Sequence, residues 1–310
     1  MRLIALRACA KINLGLRILG LRDDGFHELR TIYQSVSLAD EVEVGLSGSN
    51  GAVRLEASGF EVPRGRENLA VRAAEAVRKA LRIRRGILIR LHKRIPPGSG
   101  LGGASSDAAA VLRAVPALCG RTLPIEKLLH LAAELGSDVP FFLVGGRAIG
   151  LGRGEEVYPL PESPRRSVVI LLPGEGMSTA EAYRLLDIAQ RRPRLTGAIA
   201  RPTIELFCGQ ALQSGALRLN NDFEPLLFRR RPELAEAKRL LLRRGAEIAA
   251  LSGSGSAVFG MFEDAAKARR AARELGDSGA NAFLGRTISR REFSRSGAVS
   301  RSPGAVSRSR

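Results

Sequence analysis

Pro96-Pro97-Gly98-Ser99-Gly100-Leu101-Gly102-Gly103-Ala104-Ser105-Ser106-Asp107 is the stretch of this chain whose residue types point most directly to chemistry. It leaves a run of alternating apolar residues and enters one with helical spacing. Glycines let backbone N–H groups converge on an anion, and the helix that follows adds the positive end of its dipole. Ser105 and Ser106 are placed to cap that helix or to meet phosphate oxygens. A triphosphate is the natural guest. The loop is not a Walker A sequence, since no Gly-Lys-Ser/Thr follows. Gly98, Gly100 and Gly103 satisfy Gly-x-Gly-x-x-Gly, yet Pro116, Gly120 and Pro124 interrupt the region where a dinucleotide fold needs its second strand and acidic residue. The Val-Ala-Ile-Lys, His-Arg-Asp and Asp-Phe-Gly partners of a protein-kinase loop are missing.

Lys11 stands within an alternating apolar segment, and Asp138 within Gly136-Ser137-Asp138-Val139-Pro140. Taken alone, Lys11 suits a solvated strand face and Asp138 a helix cap. Taken together they suit transfer of a phosphoryl group to a hydroxyl: the carboxylate takes the proton and the ammonium stabilises developing negative charge. His27 follows Gly25-Phe26 at a turn, and with Phe26 and Tyr33 nearby it is a candidate for a base-binding pocket. Leu251-Ser252-Gly253-Ser254-Gly255-Ser256-Ala257 is a second glycine turn, either a plain hairpin connection or a second wall of the phosphate site. The three histidines and three cysteines do not cluster, which speaks against a transition-metal centre.

These residues need a scaffold, and the periodicities supply one. Ile12, Leu14 and Leu16 alternate with polar neighbours, Arg22-Asp23-Asp24-Gly25 is turn chemistry, and a second extended run follows to Val44, so residues 1–46 read as strands. Helical spacing predicts helices over 68–81, 106–118, 125–135, 234–244 and 265–275, with a short one after Thr179. Strands are predicted over 86–93, 167–172 and 282–288, with a hairpin across 248–262. Residues 190–203 read as a polar loop. Strands and helices mix without strict alternation, which favours an α+β fold. Pro159, Pro161 and Pro164 mark a break, giving domains at 1–163 and 164–290. The repeat Gly297 to Ser302 and Gly304 to Ser309 belongs to a Ser/Arg-rich tail, 291–310, expected to be disordered.

Composition narrows the classes. Hydrophobic residues are 45% of 310 and charged residues 26%, an ordinary globular balance. No apolar window approaches the length of a membrane span. Arg7 ends the N-terminal apolar run after four residues, too few for a signal peptide. Cys9, Cys119 and Cys208 are an odd, scattered set that suits a reducing cytoplasm. Lys and Arg number 49 against 31 Asp and Glu, a net +18, but the arginines are spread along the chain with few aromatics among them. That pattern reads as an Arg-biased solvated surface rather than a nucleic-acid face.

Ala10-Lys11-Ile12-Asn13-Leu14, the loop 96–107 and Leu251 to Ala257 together resemble the three motifs of the GHMP kinases (galactose, homoserine, mevalonate and phosphomevalonate kinases). Ala10 to Gly20, Asp24 to Leu29, Thr31 to Asp40 and Gly136 to Phe142 are more specifically similar to those members whose acceptor is 4-diphosphocytidyl-2-C-methyl-D-erythritol, in the non-mevalonate isoprenoid route. The likeness runs from about residue 4 to 290 and is thinnest beyond 165. It implies a two-domain fold, N-terminal ribosomal S5 domain 2-like and C-terminal ferredoxin-like, with the site in the cleft between. It implies ATP as donor with Mg²⁺ bridging its phosphates, the acceptor's 2-hydroxyl as nucleophile, and a monomer or homodimer with neither nucleic acid nor membrane as partner. By the same likeness Lys11 and Asp138 are catalytic, Pro96 to Ser106 and Asn68 bind ATP, and Asn13, Phe26, His27, Thr179 and Tyr183 bind substrate, His27 at the cytosine edge. Cys9 stands where the family usually has Pro, Phe26 replaces a common Tyr, and the tail has no counterpart. A GHMP kinase for another small alcohol, such as homoserine, leaves the Asp-Gly-Phe-His segment without a task. A nucleic-acid-binding protein would share the charge and the ribosomal-type fold.

Overall fold

The structure, a computed structural model, describes residues 3–48, 51–174, 176–190, 220–296 and 300–302. It is organised around one long antiparallel hairpin, Leu3–Leu21 (β1) and His27–Leu46 (β2). The turn between them is set by Asp24, whose carboxylate accepts the Phe26 N–H at 3.1 Å. Val53–Gly59 (β3) and Ile87–Lys93 (β4) run parallel to each other, and the sheet order is β1-β2-β4-β3, with a short strand added outside β1. Arg147–Leu151 (β5) pairs with β2 and carries Glu156–Pro159 (β6) on its other edge. Helices Leu69–Ala80 (α1) and Gly103–Leu118 (α2) bury their alanine-rich surfaces against this sheet, and Ile125–Leu135 (α3) packs on α1 and α2. Phe141–Val144 (α4) is a single turn leading into β5.

Ser167–Leu171 (β7), Ile248–Leu251 (β8), Val258–Phe262 (β9) and Ala282–Arg286 (β10) form a second, antiparallel sheet in the order β10-β7-β9-β8. Thr179–Gln190 (α5), Glu224–Arg230 (α6), Pro232–Arg243 (α7) and Ala265–Asp277 (α8) supply its helices. Asp264 caps α8 by accepting from the Ala266 and Lys267 N–H groups.

Two-residue periodicity sorts β7 between two cores. Val169 and Leu171 pack among the C-terminal helices, while Val168 and Ile170 pack against the first sheet. Strand β1 reaches farther still. Ile4, Leu6 and Ala8 lie in the core under α1 to α3, Ile12 and Leu14 lie between the sheets, and Leu16 and Ile18 lie in the C-terminal core. Being covered on both sides, the middle of β1 also buries its polar residues, Lys11 at 3% and Asn13 at 2% exposure.

The mixed α+β arrangement matches the expectation from the sequence, and the predicted elements are present to within a few residues. Strands β3, β5 and β6 and helix α6 were not anticipated. The start of the tail, expected to be disordered from 291, is ordered as far as 296. Arg290–Ser296 is a helix (α9), because Phe293 gives it an apolar side chain to bury in the first core, 5% exposed. Ser300–Ser302 (β11) pairs with Leu3–Ala5 at the edge of β1. Residues 297–299 and 303–310 of that tail, the loop expected over 191–203, and Cys208 lie outside the described residues. Among the described residues no helix is long and apolar enough to cross a membrane.

Candidate active site

The glycine loop leaves β4 and ends in α2, as its sequence requires. Helix α2 begins at Gly103, three residues earlier than its apolar spacing suggested, with Gly102 at its N-cap. The loop is held from both sides: the Lys11 N–H donates to Leu101 O at 3.0 Å and the Ala257 N–H to Ser99 O at 2.9 Å. Gly100 has φ +79°, and a Cβ there would stand 2.2 Å from Ser252 O. Only glycine lets the loop cross the second glycine turn this closely. That turn is anchored by Asn221, whose amide donates to Leu251 O and Gly253 O. The turn 251–257 is the hairpin connection between β8 and β9; its Gly253 and Ser254 line the larger cavity beside the loop, and none of its residues lines the cavity along the loop itself.

A cavity of about 340 Å³ lies along the loop, lined by Pro96 to Gly100, Gly102 to Ser105, Asn68 and Asp138. Asn68 has a structural task as well, capping α1 through the Ala70 N–H at 2.9 Å. Two loop residues named from the family likeness do not reach the cavity. Leu101 is wholly buried in the core between the sheets. The Ser106 hydroxyl donates to Cys9 O at 2.8 Å, so it ties α2 to β1 and does not face a phosphate.

A second cavity, of about 620 Å³, is lined by Lys11, Asn13, Phe26, His27, Tyr33, Asp138, Arg153, Thr179, Tyr183 and Asp187 among others. Gly100, Ser105, Asp138 and Thr179 line both cavities. At this junction Lys11 Nζ is 3.4 Å from Asp138 Oδ2 and donates to Asn13 Oδ1 at 2.6 Å. Asn13 Nδ2 donates to the Thr31 hydroxyl, which donates to Gly15 O, so the Asn13 oxygen is fixed toward the lysine. The other Asp138 oxygen accepts the Tyr33 hydroxyl at 2.9 Å. Burial first, and then the Asp138 charge, push the Tyr33 phenol well above its ordinary pKa, so it stays a donor. Asp138 is the partly exposed member of the pair, at 32% against 4% for the Lys11 side chain.

Of the expected substrate residues, Asn13 and Thr179 stand at the junction, and Phe26, His27 and Tyr183 line the rest of the larger cavity. His27 Nε2 is 2.7 Å from Asp187 Oδ1, and the imidazole stacks on Tyr183 with centroids 4.6 Å apart and planes at 21°. Tyr183 is braced edge-on by Phe223. Phe26 is 49% exposed with the Arg153 guanidinium 4.6 Å over its ring. Thr179 opens α5, its hydroxyl accepting from Ser254 at 3.4 Å. In this structure the Tyr183 face nearest the hairpin is covered by His27.

Sequence reasoning missed a buried ion cluster below the loop. Lys93 donates to Asp40 and, at 2.7 Å, to Asp107. Asp40 Oδ1 in turn accepts the Arg94 and Ile95 N–H groups at 2.6 and 2.8 Å. These contacts tie β2, β4 and the second turn of α2 together at the loop's two ends. Burial raises the Asp107 carboxyl to about 7 against the opposing pull of Lys93. No motif announces the cluster, because its members are 53 and 14 residues apart. Asp187 and Arg153 were missed for the same reason.

Among the described residues no group of three His, Cys, Asp or Glu is placed to hold a metal. The junction offers instead the Ser105 hydroxyl and a single carboxylate, Asp138. Such a donor set fits a divalent ion carried in on nucleotide phosphates, not one caged by protein.

The model for the GHMP kinases N terminal domain matches residues 68–146, and that for the GHMP kinases C terminal matches 195–281. The 4-diphosphocytidyl-2-C-methyl-D-erythritol kinase of Solibacter usitatus is 49% identical over 274 residues, 88% of this chain and 85% of that one. The kinase of the same name from Moorella thermoacetica is 40% identical over 288 residues, 93% of this chain and all of the other. A crystal structure of 4-(cytidine 5'-diphospho)-2C-methyl-D-erythritol kinase superposes with a TM-score of 0.75 at 37% identity, covering 91% of this chain and 98% of that chain. Homoserine kinase from Cytophaga hutchinsonii shares the fold, with a TM-score of 0.68 at 22% identity.

Proposed function

This chain belongs to the GHMP kinases, and we propose that Lys11, Asp138 and the loop 96–105 carry out its reaction where the two cavities meet. The reaction is transfer of the ATP γ-phosphoryl group to the 2-hydroxyl of 4-diphosphocytidyl-2-C-methyl-D-erythritol, in the non-mevalonate route to isoprenoid precursors. The observation that carries the site assignment is the pair of cavities sharing Gly100, Ser105, Asp138 and Thr179. One cavity has the glycine loop and a helix N-terminus, which suit phosphates. The other has aromatic rings and an imidazole, which suit a nucleobase. A hydroxyl and a γ-phosphate delivered from opposite sides would meet beside Lys11 and Asp138.

The step balances as follows. The acceptor hydroxyl oxygen forms a bond to phosphorus, its proton passes to Asp138, and the bond from phosphorus to the β,γ-bridging oxygen breaks. ADP departs with that electron pair. Tyr33 and Lys11 hold the Asp138 carboxylate from two sides, so it is oriented before the substrate arrives. Lys11, buried and aimed by Asn13, offsets the charge that builds on the transferring oxygens. Loop N–H groups hold the remaining phosphate oxygens. Mg²⁺ would be held by ATP oxygens near Ser105, and supplies neutralisation of charge on the β- and γ-phosphates. His27 reads the cytosine edge, with Phe26 and Tyr183 as the aromatic surfaces beside it. The free thiols of Cys9 and Cys119 suit work in the cytoplasm.

Phosphorus NMR tests the reading directly. The protein is mixed with Mg-ATP and 4-diphosphocytidyl-2-C-methyl-D-erythritol, with homoserine and mevalonate in parallel tubes. A new phosphomonoester resonance in the first tube alone is the expected result. A resonance in another tube only would overturn the roles given to His27 and Tyr183. Intact ATP in all three tubes, with folded protein, would remove the assignment.

A further inference from the structure

The His27–Asp187 contact joins the tip of the β1–β2 hairpin to helix α5 in the C-terminal half, across 160 residues of sequence. It does more than tether the two. A carboxylate can only accept, so the 2.7 Å contact assigns the proton of the neutral ring to Nε2. Nδ1 is then a bare acceptor. Tyr183 lies one helical turn before Asp187 and stacks on the same imidazole. One face of α5 therefore fixes both the plane of the ring and its rotation within that plane. The ring is 8% exposed and lines the larger cavity.

Cytosine and uracil differ at position 4. Cytosine presents an amino group, a donor; uracil presents a carbonyl oxygen, an acceptor. A ring nitrogen held as an acceptor welcomes the first and opposes the second. We propose that Asp187 is the positioning residue that sets the preference for cytosine over uracil, by holding His27 as the Nε2–H tautomer with Nδ1 free to accept the 4-amino group. The proposal rests on the reading of His27 as the residue at the base edge. Without Asp187 the imidazole can carry its proton on either nitrogen and turn over, and the preference is no longer dictated. A donating Nδ1–H would serve uracil as well as Nδ1 serves cytosine.

The test compares kcat/KM for the cytidine acceptor and its uridine counterpart in the wild type, Asp187→Ala, Asp187→Glu and His27→Ala. It adds ¹⁵N NMR of the His27 ring in the free enzyme. The Asp187 side chain is 43% exposed, so its removal leaves no buried void. We expect the wild-type ring to show protonated Nε2 and bare Nδ1, and Asp187→Ala to show a tautomer mixture. The cytidine-to-uridine ratio should fall about tenfold or more in Asp187→Ala. The loss should appear in KM for the cytidine acceptor, and Asp187→Glu should recover part of it. A wild-type ring protonated at Nδ1 overturns the proposal outright. A ratio that collapses in His27→Ala but not in Asp187→Ala leaves His27 as the base reader and reduces Asp187 to a structural tether. A ratio unchanged in His27→Ala removes the base-edge reading itself, and the proposal with it.

Discussion

Asp138 and Asp107 are both carboxylates near the nucleotide cavity, yet their surroundings give them different work. Asp138 is held by Tyr33 and Lys11 at the junction of the cavities and remains partly exposed, open to a substrate proton. Replacing it by Asn keeps shape and hydrogen bonding but removes the proposed base. We expect kcat to fall about 10²–10⁴-fold in Asp138→Asn, with ATP affinity close to wild type by calorimetric titration. Weakened ATP binding with undiminished kcat would show that Asp138 serves the nucleotide and not the proton. Asp107 is buried at the floor of the cavity along the loop, and burial raises its pKa from 3.8 to about 7. A raised carboxyl pKa means that the folded state holds a proton the unfolded state releases. Its contribution is therefore favourable at low pH and is lost as pH rises from about 4 through 7. Between about pH 4 and 7, thermal melts of Asp107→Asn should show a smaller loss of stability than those of the wild type. Parallel pH profiles for the two proteins would show that Asp107 does not titrate in the fold.

At the scale of elements, the site is made where two glycine turns cross. Gly100 places its backbone against Ser252 O, and Gly253 leaves room beside Asn13 Oδ1 and Lys11 Nζ, which a Cβ would meet at 3.2 and 3.4 Å. Gly100→Ala adds a methyl group 2.2 Å from a backbone oxygen at a positive φ, so one turn has to move. We expect a cost of about 1–3 kcal/mol in stability together with a raised KM for ATP. A variant with the wild-type melting temperature and KM would show that the crossing is looser than its geometry. The glycine loop was legible in the sequence because its residues are consecutive and their chemistry local. Helices α1, α7 and α8 were legible because each buries one face at helical spacing, and α2, buried nearly all round, because it follows the glycine loop as a long alanine-rich run. Strand β3 was not, because it is an edge strand exposed along most of its length. The short strands β5 and β6 and helix α6 carry too few residues for a period to register. The partners that orient the site (Tyr33 on Asp138, Asp187 on His27, Asp40 and Lys93 on Asp107) depend on long-range pairing, and no local pattern records them. Lys11 shows the limit from the other side. Alternation suggested a solvated lysine, but that face is closed by Tyr33, Asp138 and the two glycine turns, which only the tertiary fold decides.

The whole molecule is tied together more closely than a division at residue 163 implies. Strand β1 contributes side chains to all three cores. Asp222, from the C-terminal half, accepts the Ile18 N–H at 2.9 Å and pairs with Arg17. In the opposite sense α9 returns from the end of the second sheet to the first core. There Phe293 packs so closely on Gly145 that a Cβ at that glycine would stand 2.1 Å from its ring. No single cut therefore leaves each half with a complete core. Charge repulsion in a chain of net +18 is offset locally by ion pairs such as Arg90–Glu56 and Arg243–Glu236, exposed contacts worth little singly. Cohesion must then come from the shared apolar clusters. We expect one calorimetric unfolding transition, its enthalpy equal to the van't Hoff value. Phe293→Ala, at the far C-terminal end, should lower the stability of that same transition by about 3 kcal/mol, shifting the whole peak. Two resolved peaks, or a Phe293→Ala effect confined to one of them, would show instead that the halves fold separately and that the cleft between them is free to open.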